Sequence, residues 1–277
     1  MSSAELTPRS LLFMPGSRPK MVAKIAEIAP DAAVVDLEDA VPATAKQAAR
    51  EATVTALAGL SVPGVALLVR VNPSDTPWFA DDLAAVAGLS GVGVVLPKYE
   101  RRAEIDLLRD RLGPDVPIVV GLESVRGVAD CRELLRAPVD VVYFGAEDYI
   151  ADIGGLRTED NNEVLFPRSE VRLAAHLAEV AAVDQAVVSI RDDDRFRSDA
   201  RQGRAIGYTG KICVHPRQVE LSHEIFTPAP AEVEHARAVL RAADEGVAVV
   251  DGQMVDAVHL RMARATLARV PGESVAG

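Results

Sequence analysis

Short apolar runs recur along this chain, and each is followed by a longer stretch whose apolar residues sit three and four apart. That alternation predicts strand followed by helix, over and over. Residues 10–14 (SLLFM) form the first run, stopped by Pro15-Gly16, and residues 19–29 follow with Met21, Val22, Ile25 and Ile28 at helical spacing. The runs at 32–37, 66–72, 93–98 and 118–123 each lead into a helical pattern, near 43–60, 79–89, 101–112 and 127–135. Residues 141–148 (VVYFGAED) predict a strand buried on both faces that ends in Glu147 and Asp148, which alternation would turn to opposite sides. The rhythm loosens over 150–167, a length that predicts a lid or binding loop. A helix over 168–183, a strand over 186–190, a helix over 194–206 and a strand over 209–215 complete the pattern.

About eight strands, each followed by a helix, predict a closed (β/α)8 TIM barrel within the α/β class. The barrel domain is expected to span residues 1–228. Residues 229–277 then form a C-terminal helical arm, with helices near 231–243 and 260–268 around the apolar, glycine-containing segment 249–256. An arm of that composition suits packing on a neighbouring subunit. Asp36, Glu38, Arg70, Lys98, Glu123, Asp148 and His215 all fall at or near C-terminal strand ends, the face on which barrels carry their chemistry.

The chain has 277 residues, 49% hydrophobic and 26% charged, enough for a sizeable core. Its net charge of −11 argues against nucleic acid or an anionic membrane as partner and leaves a small molecule as the expected ligand. Cys131 and Cys213 lack any paired spacing, so neither a disulfide framework nor a zinc cage is expected. With no apolar run of signal or membrane-spanning length, a cytoplasmic protein is the expectation.

Glu123 and Asp148 end adjacent strands in this reading and could share one hard cation, for which oxygen ligands favour magnesium over zinc. The plainer alternative is a pair of loop caps or ion-pair partners. Arg70 lies inside an apolar strand, where a buried charge needs a partner; a substrate carboxylate or an enolate oxygen is the expected one. Asp36, Glu38 and Asp39 could orient metal waters or Arg70, or simply be acids at a helix N-terminus. Lys98 could form a Schiff base, though paired carboxylates already supply an electron sink. His215 reads as structural.

LLFMPGSRPKM, VVDLEDAV, LVRVN, LPKYE, GLESVRGV, YFGAEDY, GKICVHPRQV and VDGQMVD occur in this order from residue 11 to about 268. Together they resemble the citrate lyase β-subunit and malyl-CoA lyase family, the HpcH/HpaI-type aldolases. The resemblance implies Mg2+ on Glu123 and Asp148, with Arg70 on substrate and enolate oxygen. It implies coenzyme A, as part of the thioester, on Phe13, Arg18 and Lys24. It makes Asp256, in the arm, a catalytic base that reaches another subunit's site in a homo-oligomer, a trimer or hexamer. The implied activity is magnesium-dependent cleavage, or Claisen-type formation, of a 3-hydroxyacyl-CoA thioester such as citramalyl-, malyl- or citryl-CoA, the last also on a carrier protein. The alternatives are condensation with thioester hydrolysis, as in malate synthase, and a non-catalytic subunit.

Overall fold

The structure is a computed structural model that describes residues 6–244, 249–250 and 252–270. Eight parallel strands close into a barrel in sequence order: β1 (Ser10–Pro15), β2 (Ala32–Asp36), β3 (Ala66–Arg70), β4 (Val92–Leu96), β5 (Ile118–Leu122), β6 (Val141–Phe144), β7 (Ala181–Asp184) and β8 (Gly210–Cys213). Pairing of Leu11 with Ile212 shuts the ring. Between the strands lie α1 (Pro19–Val22), α2 (Ile25–Ile28), α3 (Lys46–Leu57), α4 (Phe79–Ala87), α5 (Arg102–Leu112), α6 (Val125–Ala129), α7 (Cys131–Leu134), α8 (Ala146–Ile153), α9 (Leu165–Leu177) and α10 (Asp193–Ile206). This is the expected (β/α)8 barrel. No helix among the described residues is long and apolar enough to cross a membrane.

Alternation along each strand sends every second side chain inward. Leu11, Ala32, Val34, Leu68, Val95, Val119, Val141, Tyr143, Val183 and Ile212 pack together as the buried interior. The interposed residues face the helices, and on two strands they are charged. Asp184 and Lys211, one residue off the inward Val183 and Ile212, meet Arg168 of α9 and Asp199 of α10 in a fully buried cluster. Arg168 donates to both Asp184 oxygens, at 2.7 and 2.5 Å, and Lys211 reaches Asp184 at 3.0 Å and also bonds Asp199. Two cations thus face two carboxylates, which satisfies charges that could not be buried alone.

The largest differences from the sequence reading lie at the seventh strand and at the end of the sixth, and the helix expected over 168–183 runs from Leu165 to Leu177. The seventh strand is 181–184, not 186–190, whose more β-branched run holds the exposed Val188 and Ile190. The sixth strand stops at Phe144. Gly145 is the N-cap of α8, so Glu147 and Asp148 occupy its first turn, where acids are favoured by the helix dipole. The segment beyond α8 is tied down by Arg157, which pairs with Glu147 at 2.9 Å and Glu163 at 2.5 Å, and by Arg195 on the carbonyls of Thr158 and Glu159. The stretch expected to be a lid or binding loop is thus anchored by ion pairs and hydrogen bonds.

The chain divides into two compact units, Met1–His223 and Glu224–Gly277, and α11 (Pro216–Phe226) runs through the junction. The second unit holds α12 (Pro230–Asp244), an antiparallel pair of β9 (Val249–Val250) and β10 (Gln253–Met254), and α13 (Ala257–Leu267). Ala236, Val239, Ala263 and Leu267 form its small core. Its surface displays Val249, Met254, Val258 and Met262, all exposed.

Candidate active site

At the C-terminal end of the barrel the inward rows turn from apolar to polar. Asp36 continues the row of Ala32 and Val34, Arg70 that of Leu68, and Glu123 that of Val119 and Gly121. With Phe13 of β1 and Tyr143 of β6 they line a cavity of about 420 Å3, which Asp148 of α8 also lines. Glycine at 121 makes room for Tyr143, since a Cβ there would run into the phenol. Glycine at 145 does the same for Glu123, whose Cβ and Oε2 occupy the space a side chain would need.

Arg70 is held by protein carboxylates. Its Nε and Nη2 donate to the two Asp36 oxygens at 2.8 and 2.6 Å, a planar two-point grip. Nη1 lies 2.7 Å from Glu38 Oε2, an ion pair whose angles fall short of a hydrogen bond. Burial alone would lower the guanidinium pKa; the Asp36 bond and charge carry it well above its ordinary value, so Arg70 is a fixed cation. Its guanidinium also lies over the Phe13 ring, 5.0 Å from the centroid. The expected partner was a substrate oxygen; Asp36 and Glu38 fill that need within the protein and aim the side chain at the cavity. Lys46 braces the turn that carries them, donating to the carbonyls of Leu37 and Glu38 at 2.8 and 2.7 Å and to Asn72 Oδ1 at 2.6 Å.

Glu123 is buried. Burial, with the nearby charges of Glu38 and Asp148, pushes its carboxyl up to about 7 against the opposing pull of Arg70. Both of its hydrogen bonds end on Oε1, from the Lys98 backbone N–H at 2.8 Å and from the Tyr143 hydroxyl at 3.2 Å. Oε2 carries neither. Burial also raises the Glu38 carboxyl, with Arg70 and Lys98 opposing. Lys98 reaches Glu38 Oε1 at 2.5 Å and Asp148 Oδ1 at 3.4 Å. Burial would lower its ammonium, but the hydrogen bond and charge of Glu38 raise it well above its ordinary value, which weighs against a Schiff-base role at neutral pH.

This donor set suits a hard divalent cation. Glu123 Oε2 and Asp148 supply two carboxylate positions in a cavity lined by further acids. Among the described residues no three His, Cys, Asp or Glu side chains form a ready-made cage. Two carboxylates with open positions are the arrangement in which Mg2+ keeps water or takes substrate oxygens.

The structure therefore gathers Phe13, Arg70, Glu123 and Asp148 around one cavity. Arg18 and Lys24 flank the short helices after β1, exposed and outside the cavity lining. Asp256 lies in the second unit as the N-cap of α13, accepting from the backbone N–H of Val258 at 2.8 Å and His259 at 3.2 Å. Its Oδ1 also lies 2.7 Å from His259 Nδ1, and that contact first, then the backbone bonds, lowers its pKa. Tyr143 had drawn notice only as a strand aromatic, and its hydroxyl proves to be a ligand of Glu123. Its place two residues inward of Val141, level with Gly121, was the available signal.

Known proteins can be set beside this geometry. The family described as HpcH/HpaI aldolase/citrate lyase matches residues 9–216. A citrate lyase subunit beta-like protein of Deinococcus radiodurans is 48% identical over 275 residues, covering 94% of this chain and 96% of that protein. A (3S)-malyl-CoA thioesterase of Cereibacter sphaeroides is 33% identical over 268 residues, 94% of each. The crystal structure of CitE from Mycobacterium tuberculosis in complex with magnesium, acetoacetate and coenzyme A matches with a TM-score of 0.83 at 32% identity, covering 95% of this chain and 98% of that one. With the barrel closed, the polar rows converging and the matches spanning nearly the whole chain, this protein belongs to the HpcH/HpaI aldolase/citrate lyase family.

Proposed function

We propose that this protein is a magnesium-dependent carbon–carbon lyase acting on a 3-hydroxyacyl-CoA thioester, of the citramalyl-, malyl- or citryl-CoA kind. The observation that carries the reading is the pairing of a fixed guanidinium, Arg70 on Asp36, with a bare carboxylate oxygen, Glu123 Oε2, in the wall of one cavity. The relatives support the ligand class: one is named a (3S)-malyl-CoA thioesterase, and another was crystallised with magnesium, acetoacetate and coenzyme A.

Magnesium, when bound, would act as Lewis acid and template for the substrate's hydroxyl and carboxylate oxygens. Glu123 and Asp148 would hold it. In cleavage the hydroxyl would give up its proton to solvent and become the carbonyl of the released 2-oxo acid, while the electron pair of the breaking carbon–carbon bond moves onto the thioester as an enolate. Arg70 faces that developing charge with a cation already oriented before the reaction begins. The enolate carbon must then take a proton, and the carboxyl of Asp256 is our candidate donor; in condensation the same group is the base. As a helix cap Asp256 is a weak base, and burial over a neighbouring site would raise its pKa toward the range the task needs.

The exposed apolar residues of the second unit, Val249, Met254, Val258 and Met262, favour an arm that covers another subunit, hence a homo-oligomer, a trimer or hexamer in our reading. Phe13, Arg18 and Lys24 are assigned to coenzyme A, and the unpaired, buried Cys131 and Cys213 suit a reducing, cytoplasmic setting. The thioesterase among the relatives favours a second reading, in which hydrolysis follows condensation.

A panel of malyl-, citramalyl- and citryl-CoA assayed with and without magnesium tests the proposal. Release of acetyl-CoA and a 2-oxo acid only with magnesium is the expected result. Free coenzyme A as the product would favour the second reading, and inertness toward every thioester would remove both.

A further inference from the structure

Lys98 has one of the few non-glycine residues' positive φ angles among the described residues, +49°, a conformation that costs a side-chain-bearing residue energy and persists only where its surroundings enforce it. Two contacts explain the enforcement. The backbone N–H of Lys98 points at Glu123 Oε1, 2.8 Å away, while the neighbouring Tyr99 N–H bonds the carbonyl of Gly121 at 2.9 Å. The side chain meanwhile turns across the site, where its ammonium lies 2.5 Å from Glu38, 3.4 Å from Asp148 and 3.8 Å from Asp39. One residue therefore touches both carboxylates assigned to the metal, one through its main chain and the other through its charge.

We propose that Lys98 is a resident counter-ion that stands in for the divalent cation at Asp148 and yields to it. This inference rests on the magnesium reading above. Without metal, the ammonium offsets the crowded carboxylates and keeps Asp148 turned toward the cavity. When a divalent ion arrives, two cations compete for Asp148, and the ammonium has somewhere to go: Glu38 already holds it at the shorter distance, and Asp39 is within reach. The backbone contact to Glu123 does not depend on the ammonium, so the same residue keeps one metal ligand fixed while releasing the other. The consequence is an affinity for magnesium set below what the carboxylates alone would give, in exchange for a site that is ordered before the metal binds.

The test is calorimetric titration of the full chain with Mg2+ alone, without any thioester, for wild type, Lys98→Met, Lys98→Gln, Lys98→Arg and Glu123→Gln. Removing a unit charge this close to a divalent ion should tighten binding at least about tenfold in Lys98→Met. Lys98→Arg keeps the charge and should remain near wild type. Lys98→Gln decides the point if the methionine variant does not fold. Magnesium affinity equal to or weaker than wild type in both uncharged variants overturns the counter-ion role, and does so alone if Glu123→Gln has lost binding. A wild type that takes up no magnesium overturns the metal reading and this inference with it.

Discussion

Arg70 and Asp36 meet through two parallel hydrogen bonds, at 2.8 and 2.6 Å, each residue the last of its strand and paired in register with the other. A lysine would keep the charge but could not span both oxygens. Arg70→Lys should therefore fold normally and lose about 100-fold or more in kcat/KM for thioester cleavage. Steady-state kinetics beside a circular dichroism spectrum checks this, and near-normal turnover would show that the two-point grip serves the fold alone.

Glu123 gives a pH signature. Its carboxyl ionises at its ordinary 4.5 when unfolded but holds its proton to about 7 in the folded, metal-free chain. The native state then binds more protons across that interval, so this residue's contribution to stability declines as pH rises from 4.5 to 7 and levels off above. Glu123→Gln lacks the effect. Thermal midpoints of both proteins in chelator, from pH 5 to 8, should draw apart with the wild type losing ground as pH rises; parallel curves would contradict the raised pKa. Magnesium needs the ionised form, so its affinity in the wild type should climb through the same interval and then flatten.

Subunit exchange tests Asp256. Asp256→Ala and Glu123→Ala should each be inactive, and mixing them under exchanging conditions should restore part of the activity if the aspartate serves a neighbour's site. Verified exchange without recovery would confine Asp256 to capping α13.

The buried cluster between sheet and helices predicts a purely structural effect. Arg168→Met leaves Asp184 and Asp199 with only Lys211 against them, and loss of one partner from such a group costs about 3–5 kcal/mol. Urea denaturation should show the loss, and a change under 1 kcal/mol, of the order of about a surface pair, would mean the cluster reorganises or takes up protons.

The barrel was legible because its strands are apolar runs followed by helices, and Glu123 and Arg70 because strand ends are where a barrel puts polar residues. Asp148 was found by its neighbours in sequence but given the wrong element: GAED continues a strand by composition, and only Gly145 and the acids' preference for a helix start argue otherwise. The seventh strand was misplaced because local propensity favoured 186–190, whereas the native strand is fixed by Asp184, whose burial depends on Arg168, 16 residues away. Lys98 was legible as a residue but not as a contact. Nothing along the chain announces that its main-chain N–H faces one carboxylate and its ammonium three others.

The inward rows of this barrel hold both its oily interior and the polar groups of its cavity, as successive rungs of the same ladders: Leu68 below Arg70, Val119 and Gly121 below Glu123, Ala32 and Val34 below Asp36. Core and chemistry are thus written in one reading frame. Inserting or deleting a single residue between the rungs of β3 or β5 would set the core side chain and the polar group above it on opposite faces, so one of the two would turn toward the helices. Evolution can retune this pocket by exchanging side chains or rebuilding the loops above it, but the spacing beneath is not free to drift, because a slip would sacrifice either the packed interior or the polar cavity above it.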